Sequence, residues 1–265
     1  MLKLIDVSKT FNPGTITERV ALKNINLNLE PGDFVTVIGG NGAGKSTLLN
    51  LISGVYTADT GSIILDNINI TSKKEHSRAQ FLGRVFQDPM MGTASTMQIE
   101  ENLALAYRRG KKRQLLWGVT QAERKLYHKT LAQLDLGLEE RMHSKVGLLS
   151  GGQRQALTLL MATLKKPKLL LLDEHTAALD PKTAKRVLDL TEEIITRDNL
   201  TTFMVTHNMR HAIHYGNRLI MMHEGNIIYD VSGDEKKNLE VSDLLKKFET
   251  VGDEGAVSDR MILNN

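Results

Sequence analysis

The sequence predicts an α/β fold with a helical segment set into it. Three observations carry this reading. Short apolar runs of strand length lie towards both ends: FVTVI at 34–38, SIILD at 62–66, KLLLLD at 168–173 and TTFMVT at 201–206. Between about 98 and 164 the apolar spacing is helical, through MQIEENLALAYRR, TQAERKLYHKTLAQL and a stretch beginning at Ser150. A further helical stretch at about 182–197 separates the last two strands, as in a parallel sheet covered by helices.

Each element has a local cause. MLKLIDVSKTF reads as a strand, not a cleaved leader. In NINLNLE, Ile25, Leu27 and Leu29 alternate with asparagines, the pattern of a half-buried strand. FVTVI is uninterrupted and short, which suits a strand buried on both faces. NRLIMM and NIIYD are two more strands meeting at a Glu-Gly turn. A short helix near 241–248 precedes a polar C-terminal tail, 249–265, expected to be loosely held. There is no repeat and no low-complexity linker. The expected organisation is one domain over 1–248, with a helical subdomain at about 88–165.

Composition narrows the function classes. The 265 residues suffice for a sizeable core. A net charge of +3 is too small to argue for nucleic acid. The absence of cysteine excludes disulfides and thiolate metal sites, and fits a reducing compartment. No apolar run reaches about 18 residues, so a soluble or peripheral protein is expected.

The chemistry begins directly after FVTVI, with GGNGAGKSTLLNLI at 39–52. Gly39-x4-Gly44-Lys45-Ser46 fits the phosphate-loop pattern in its proper context, after a strand and opening a helix. Glycines let backbone N–H groups curl around phosphates, Lys45 supplies a cation, and the Ser46 hydroxyl suits Mg²⁺. Downstream, the apolar strand KLLLLDEH ends in Asp173 and Glu174. Asp173 suits a Mg²⁺ shell, and Glu174 suits polarising an attacking water, help typically worth about 10²–10⁴ in rate.

LLSGGQRQAL at 148–157 is a second candidate anion site. Ser150 is a plausible N-cap, yet Gly151 and Gly152 each cost a helix about 1 kcal/mol relative to alanine. Such glycines imply close approach to the backbone, and a helix N-terminus favours an anion.

With the phosphate loop, LSGGQ and LLLLDE in one chain, the sequence resembles the ATP-binding subunit of an ABC transporter, over roughly residues 1–247. The resemblance implies a P-loop NTPase core with a mixed or parallel sheet, an N-terminal antiparallel β subdomain and an inserted α-helical signature subdomain. It implies ATP and Mg²⁺ as ligands. Gly39, Asn41, Gly42, Ala43, Gly44, Lys45, Ser46 and Thr47 would cradle the phosphates, with Ser46, Asp173 and Gln87 on the metal. Gln87, in RVFQDPM, resembles the glutamine loop that faces the membrane subunit. Ser150, Gly151, Gly152 and Gln153 would contact the γ-phosphate of ATP bound on a second subunit, although the residues alone do not show action in trans. Asp180, in AALD, resembles the acid of a loop beside that interface, and is also an N-cap before Pro181. His207, in FMVTHNM, resembles the switch histidine that orients Glu174.

Phe11 resembles the aromatic that stacks on adenine, although the polar run NPGTITERV after it makes the loop longer than usual. His175 departs from the family pattern, where proline is common; it is read as a packing residue. Met90 and Met91 suit either subdomain core or a groove for the membrane subunit. The basic run RRGKKR at 108–113 is read as a solvated loop, with anionic lipid or an acidic permease loop as the alternative.

The resemblance thus implies an ATPase subunit, peripheral on the cytoplasmic face of the cell membrane. It would form a head-to-tail homodimer around two ATP molecules and drive import through a separate permease fed by a solute-binding protein. The stretches DEHTAALDPKT and THNMRHAIHYGNRLIMMHEGNIIYDVSG resemble a group associated with amino-acid-like solutes, aromatic ones among them. The alternatives are an ATPase for export or lipoprotein release, or a soluble ATPase acting on DNA or ribosomes. The segment 47–149 has no room for the long coiled coil of chromosome-cohesion relatives, zinc cysteines are absent, and each motif occurs once, so no nucleic-acid partner is expected.

Overall fold

The structure, a computed structural model, describes residues 1–111 and 118–251. Lys112 and Arg113 of the basic run, and the tail beyond 251, lie outside the described residues. Along the chain run β1 (Leu2–Phe11), β2 (Arg19–Leu29), β3 (Phe34–Ile38), α1 (Lys45–Ser53), β4 (Thr60–Leu65), β5 (Ile68–Asn69) and α2 (Glu75–Arg78). Then come β6 (Leu82–Val85), α3 (Ile99–Tyr107), α4 (Gln121–Ala132), α5 (Gly151–Thr163), β7 (Leu169–Asp173) and α6 (Pro181–Asp198). The chain closes with β8 (Thr202–Val205), α7 (Met209–His214), β9 (Arg218–His223), β10 (Asn226–Ser232), α8 (Gly233–Lys237) and α9 (Val241–Val251). Two compact units result: residues 1–78 together with the chain from Leu200 onward, and Ala79–Asn199.

The first unit holds two sheets. One is antiparallel, in the order β2-β1-β4-β5. In β2, Ile25, Leu27 and Leu29 are buried and the asparagines between them exposed, as the alternation predicts. In the other, β3 pairs in parallel with β8 on one side and β9 on the other, and β10 runs antiparallel to β9. Every residue of β3 is buried. The Glu224-Gly225 turn has positive φ at both positions, 44° and 79°, which fits a tight β9–β10 hairpin. Ile38, Met209, Leu219, Met221, Val231 and Leu244 form a core beneath α7 and α9.

The second unit contains the predicted helices together with a parallel β6–β7 pair. Its core gathers Ile99 and Leu103 of α3, Tyr127 and Leu131 of α4, and Ala156, Leu157 and Leu160 of α5. The starts of α3 and α4 are fixed by capping boxes, Gln98 with Glu101 and Thr120 with Glu123.

Two helices of the first unit end on buried cations. Arg78 is fully buried. Its guanidinium donates to the carbonyls of Leu51 (2.6 Å) and Ile52 (3.0 Å) in the last turn of α1, and to those of Thr71 and Lys73. Lys236 is buried likewise, its Nζ donating to Ile213, Tyr215 and Gly216 at the end of α7. Both satisfy carbonyls that a helix C-terminus leaves open and complement its dipole. We expect Arg78→Met to strip four carbonyls of their donor, costing about 3 kcal/mol or more. Thermal denaturation should show the midpoint falling by roughly 6–10 °C for a chain of this size.

Candidate nucleotide site

In the first unit, β3 runs straight into the phosphate loop. Gly39 has φ 157°, and a Cβ there would lie 2.3 Å from the Met222 carbonyl oxygen. Gly44 has φ 102°, and a Cβ there would lie 2.7 Å from the Ala21 carbonyl oxygen. Both positions therefore require glycine. Lys45 is buried, and its Nζ donates to the carbonyls of Gly39 (2.7 Å) and Gly40 (3.0 Å). Ala43 is buried, whereas Asn41, Gly42 and Ser46 are exposed and Thr47 is half-buried. Helix α1 has no side-chain N-cap and no acid in its first turn, so its N–H groups face no built-in anion.

Two further groups border the loop. His207 follows β8, which lies parallel beside β3 with Val205 opposite Val37, so the phosphate loop and His207 leave adjacent carboxyl ends of the sheet. Phe11, half-buried at the end of β1, packs edge-to-face on Tyr56 with ring centroids 5.2 Å apart. Its cross-strand partner Arg19 donates to the Gly42 carbonyl at 3.3 Å.

In the second unit, β7 ends at Asp173, whose carboxylate lies 3.3 Å from the Arg84 guanidinium on β6. Glu174 then adopts φ 46°, a sparsely populated conformation for a non-glycine residue. Such strain persists only where surrounding structure imposes it, and is common at functional sites. His175 is buried with Nε2 3.1 Å from the Thr191 hydroxyl, a core position. Gln87 is exposed two residues beyond β6. Asp180 caps α6 by accepting the Thr183 N–H, ahead of Pro181. Hydrogen bonds from the Thr183 side chain and then its backbone N–H hold the Asp180 carboxyl below its usual range. Met90 and Met91 are both exposed.

The signature helix α5 begins with a capping box. The Ser150 hydroxyl accepts from the Gln153 N–H, and Gln153 Oε1 accepts from the Ser150 N–H. Its two glycines differ in surroundings. A Cβ on Gly152 would lie 2.2 Å from Thr183 Cγ2, whereas one on Gly151 would meet only Leu179 at 3.3 Å. So Thr183 on α6 of the same chain is reason enough for glycine at 152, while the space at Gly151 is limited only by Leu179.

Sequence reasoning missed Arg84 and Gln155. Gln155 is fully buried, and its Nε2 donates to the carbonyl of Phe86, the residue before Gln87. The signal for Arg84 was a charged residue inside the short strand LGRV; Gln155 showed none.

The groups offered for a metal are oxygen donors: the Ser46 hydroxyl, the Asp173 carboxylate and the Gln87 amide. That set fits Mg²⁺, which takes one or two protein carboxylates and completes its shell with water and phosphate. Among the described residues no three His, Cys, Asp or Glu gather as a metal site of their own.

Residues 22–177 match the family model described as ABC transporter. The chain is 48% identical over 254 residues to the "Tyrosine transport ATP-binding protein" of Clostridioides difficile strain R20291, covering 94% of this chain and 99% of the relative. It is 33% identical to the "Phosphonates import ATP-binding protein PhnC" of Lactobacillus gasseri, covering 87% of each. The dimeric structure of the ATP-binding cassette MJ0796, in a post-hydrolysis state bound to ADP and Pi, matches with a TM-score of 0.74 at 30% identity, covering 88% of this chain and 98% of that one. Fold and phosphate loop thus define an ATP-hydrolysing P-loop cassette, as the sequence predicts. The chain belongs to the ABC transporter family, as an ATP-binding subunit of importer type.

The glycine geometry is testable. Gly152→Ala should cost about 1 kcal/mol net, overpacking against Thr183 outweighing the helix-propensity gain, whereas Gly151→Ala should be near neutral or stabilising. Denaturant titration should also show that adding Thr183→Ser, which removes the offending methyl, restores Gly152→Ala.

Proposed function

We propose that this chain is the motor of an amino-acid importer, for tyrosine or a chemically similar solute. It would work as a homodimer on the cytoplasmic face of the membrane. The observation that carries the solute class is the near end-to-end 48% identity with a tyrosine transport ATP-binding protein. A permease and an extracytoplasmic solute-binding protein complete the system. No helix of the described residues is long and apolar enough to cross a membrane.

In this reading Phe11 stacks on adenine, and the loop from Gly39 to Thr47 cradles the phosphates, with Lys45 turning from backbone carbonyls to phosphate oxygens. Mg²⁺, when bound, neutralises charge on the phosphates, and Ser46, Asp173 and Gln87 are the groups that would hold it. The Glu174 carboxylate, oriented by His207, accepts a hydrogen bond and then the proton from the attacking water. Ser150, Gly151, Gly152 and Gln153 serve the γ-phosphate of ATP bound by the second copy, with Asp180 beside that contact. Gln87 and the exposed Met90 and Met91 face the permease, where methionine adapts to an apolar partner surface.

The test is uptake of labelled tyrosine into proteoliposomes holding this chain with its permease and solute-binding protein. Tyrosine accumulation that needs ATP supports the proposal. With Glu174→Gln, hydrolysis should fall by about 10²–10⁴ and accumulation should stop. ATP-driven uptake of another solute with no response to tyrosine would contradict the assignment.

A further inference from the structure

The Asp173 carboxylate is not solvated on its own. Its Oδ2 lies 3.3 Å from Arg84 Nη2, with the two side chains 17% and 14% exposed. Largely withdrawn from water, a carboxylate beside a guanidinium interacts more strongly than a surface pair. The same guanidinium stacks over the Phe86 ring at 4.5 Å. Phe86 in turn offers its carbonyl to Gln155 Nε2 at 3.2 Å, and the buried Oε1 of Gln155 has no hydrogen-bond partner. Arg84 thus touches the acid at the end of β7 and the ring of Phe86, and Gln155 of the signature helix holds the backbone of that same Phe86, all within one compact unit.

We propose that Arg84 is a resident counter-cation for Asp173. It holds the carboxylate while no metal is bound and is displaced from it as metal and nucleotide arrive. This rests on reading Asp173 as a carboxylate on the metal side of the site. The charges give the reason: a guanidinium hydrogen-bonded to a carboxylate and a divalent cation served by that same carboxylate repel one another, so binding the second weakens the hold of the first. Arg84 thus lowers the gain in affinity that Mg²⁺ gives to ATP. Its displacement also loosens the stack on Phe86, next to Gln87 and tied to Gln155, so Arg84 is a positioning residue that couples metal arrival to the glutamine loop.

The experiment measures binding, not turnover. A fluorescent ATP analogue is titrated onto the full-length Glu174→Gln protein, once in EDTA and once in Mg²⁺. The ratio of the two dissociation constants gives the Mg²⁺-linked gain. Adding Arg84→Gln should raise that gain at least fivefold, while Arg84→Lys, which keeps the cation, should leave it within twofold. Arg84→Met, which keeps the apolar length over Phe86, serves in place of Arg84→Gln if that variant does not fold. A gain unchanged or lowered by loss of the charge overturns the proposal. Asp173→Asn separates the two levels of the argument. If it lowers the gain while Arg84→Gln does not raise it, the Arg84 proposal alone falls. If it leaves the gain unchanged, the metal reading of Asp173 falls and takes the proposal with it.

Discussion

A buried ammonium group governs the first unit. Lys45 is withdrawn from water and held by the carbonyls of Gly39 and Gly40, at 2.7 and 3.0 Å. A buried charge without hydrogen bonds would be costly, so the loop must bend its carbonyls onto Nζ. That bend is open only to glycine at Gly39, where a side chain would strike the Met222 carbonyl, and at Gly44, where it would strike that of Ala21. The strand partners of β3 and the turn at Gly225 exist in the structure as the walls of this loop. Gly225 donates to the Ala43 carbonyl and accepts from the Lys23 N–H. A phosphate reaching the loop finds an ammonium group close by, and takes it over by exchanging its own oxygens for the Gly39 and Gly40 carbonyls on Nζ.

The second unit holds its two acids differently, one by a cation and one by backbone conformation. Asp173 leans on Arg84, and Glu174 sits at φ 46°. The phosphate loop and the two acids after β7 are thus shaped by separate devices in separate stretches of chain. Each device is built from contacts within its own unit. This suits a motor in which ATP supplies the differential contacts that select a closed state.

Much of this was legible in the sequence, and the boundary is physical. FVTVI, KLLLLD and NINLNLE are strands because their apolar patterns leave no other way to bury them, and all three form as read. The phosphate loop was legible because its geometry depends on glycine and lysine at fixed local spacing. Arg78 and Lys236 were opaque. A cation buried on helix carbonyls looks, in sequence, like any surface cation, and only tertiary packing places it. Gly152 was half legible. The sequence implied a close approach to its backbone, and the structure shows one such neighbour, Thr183, within the same chain. Arg84 stood in plain view inside a strand, but its meaning depends on the parallel neighbour that ends in Asp173.

The proposal as a whole turns on whether two copies of the chain close on ATP through the signature helix. The most direct measurement is the solution mass of full-length Glu174→Gln with and without Mg-ATP, repeated with Ser150→Arg added. The account predicts a monomer without nucleotide, a dimer with Mg-ATP, and no dimer once arginine fills the start of α5. A Glu174→Gln protein that binds ATP yet stays monomeric, or a dimer indifferent to Ser150→Arg, would contradict it.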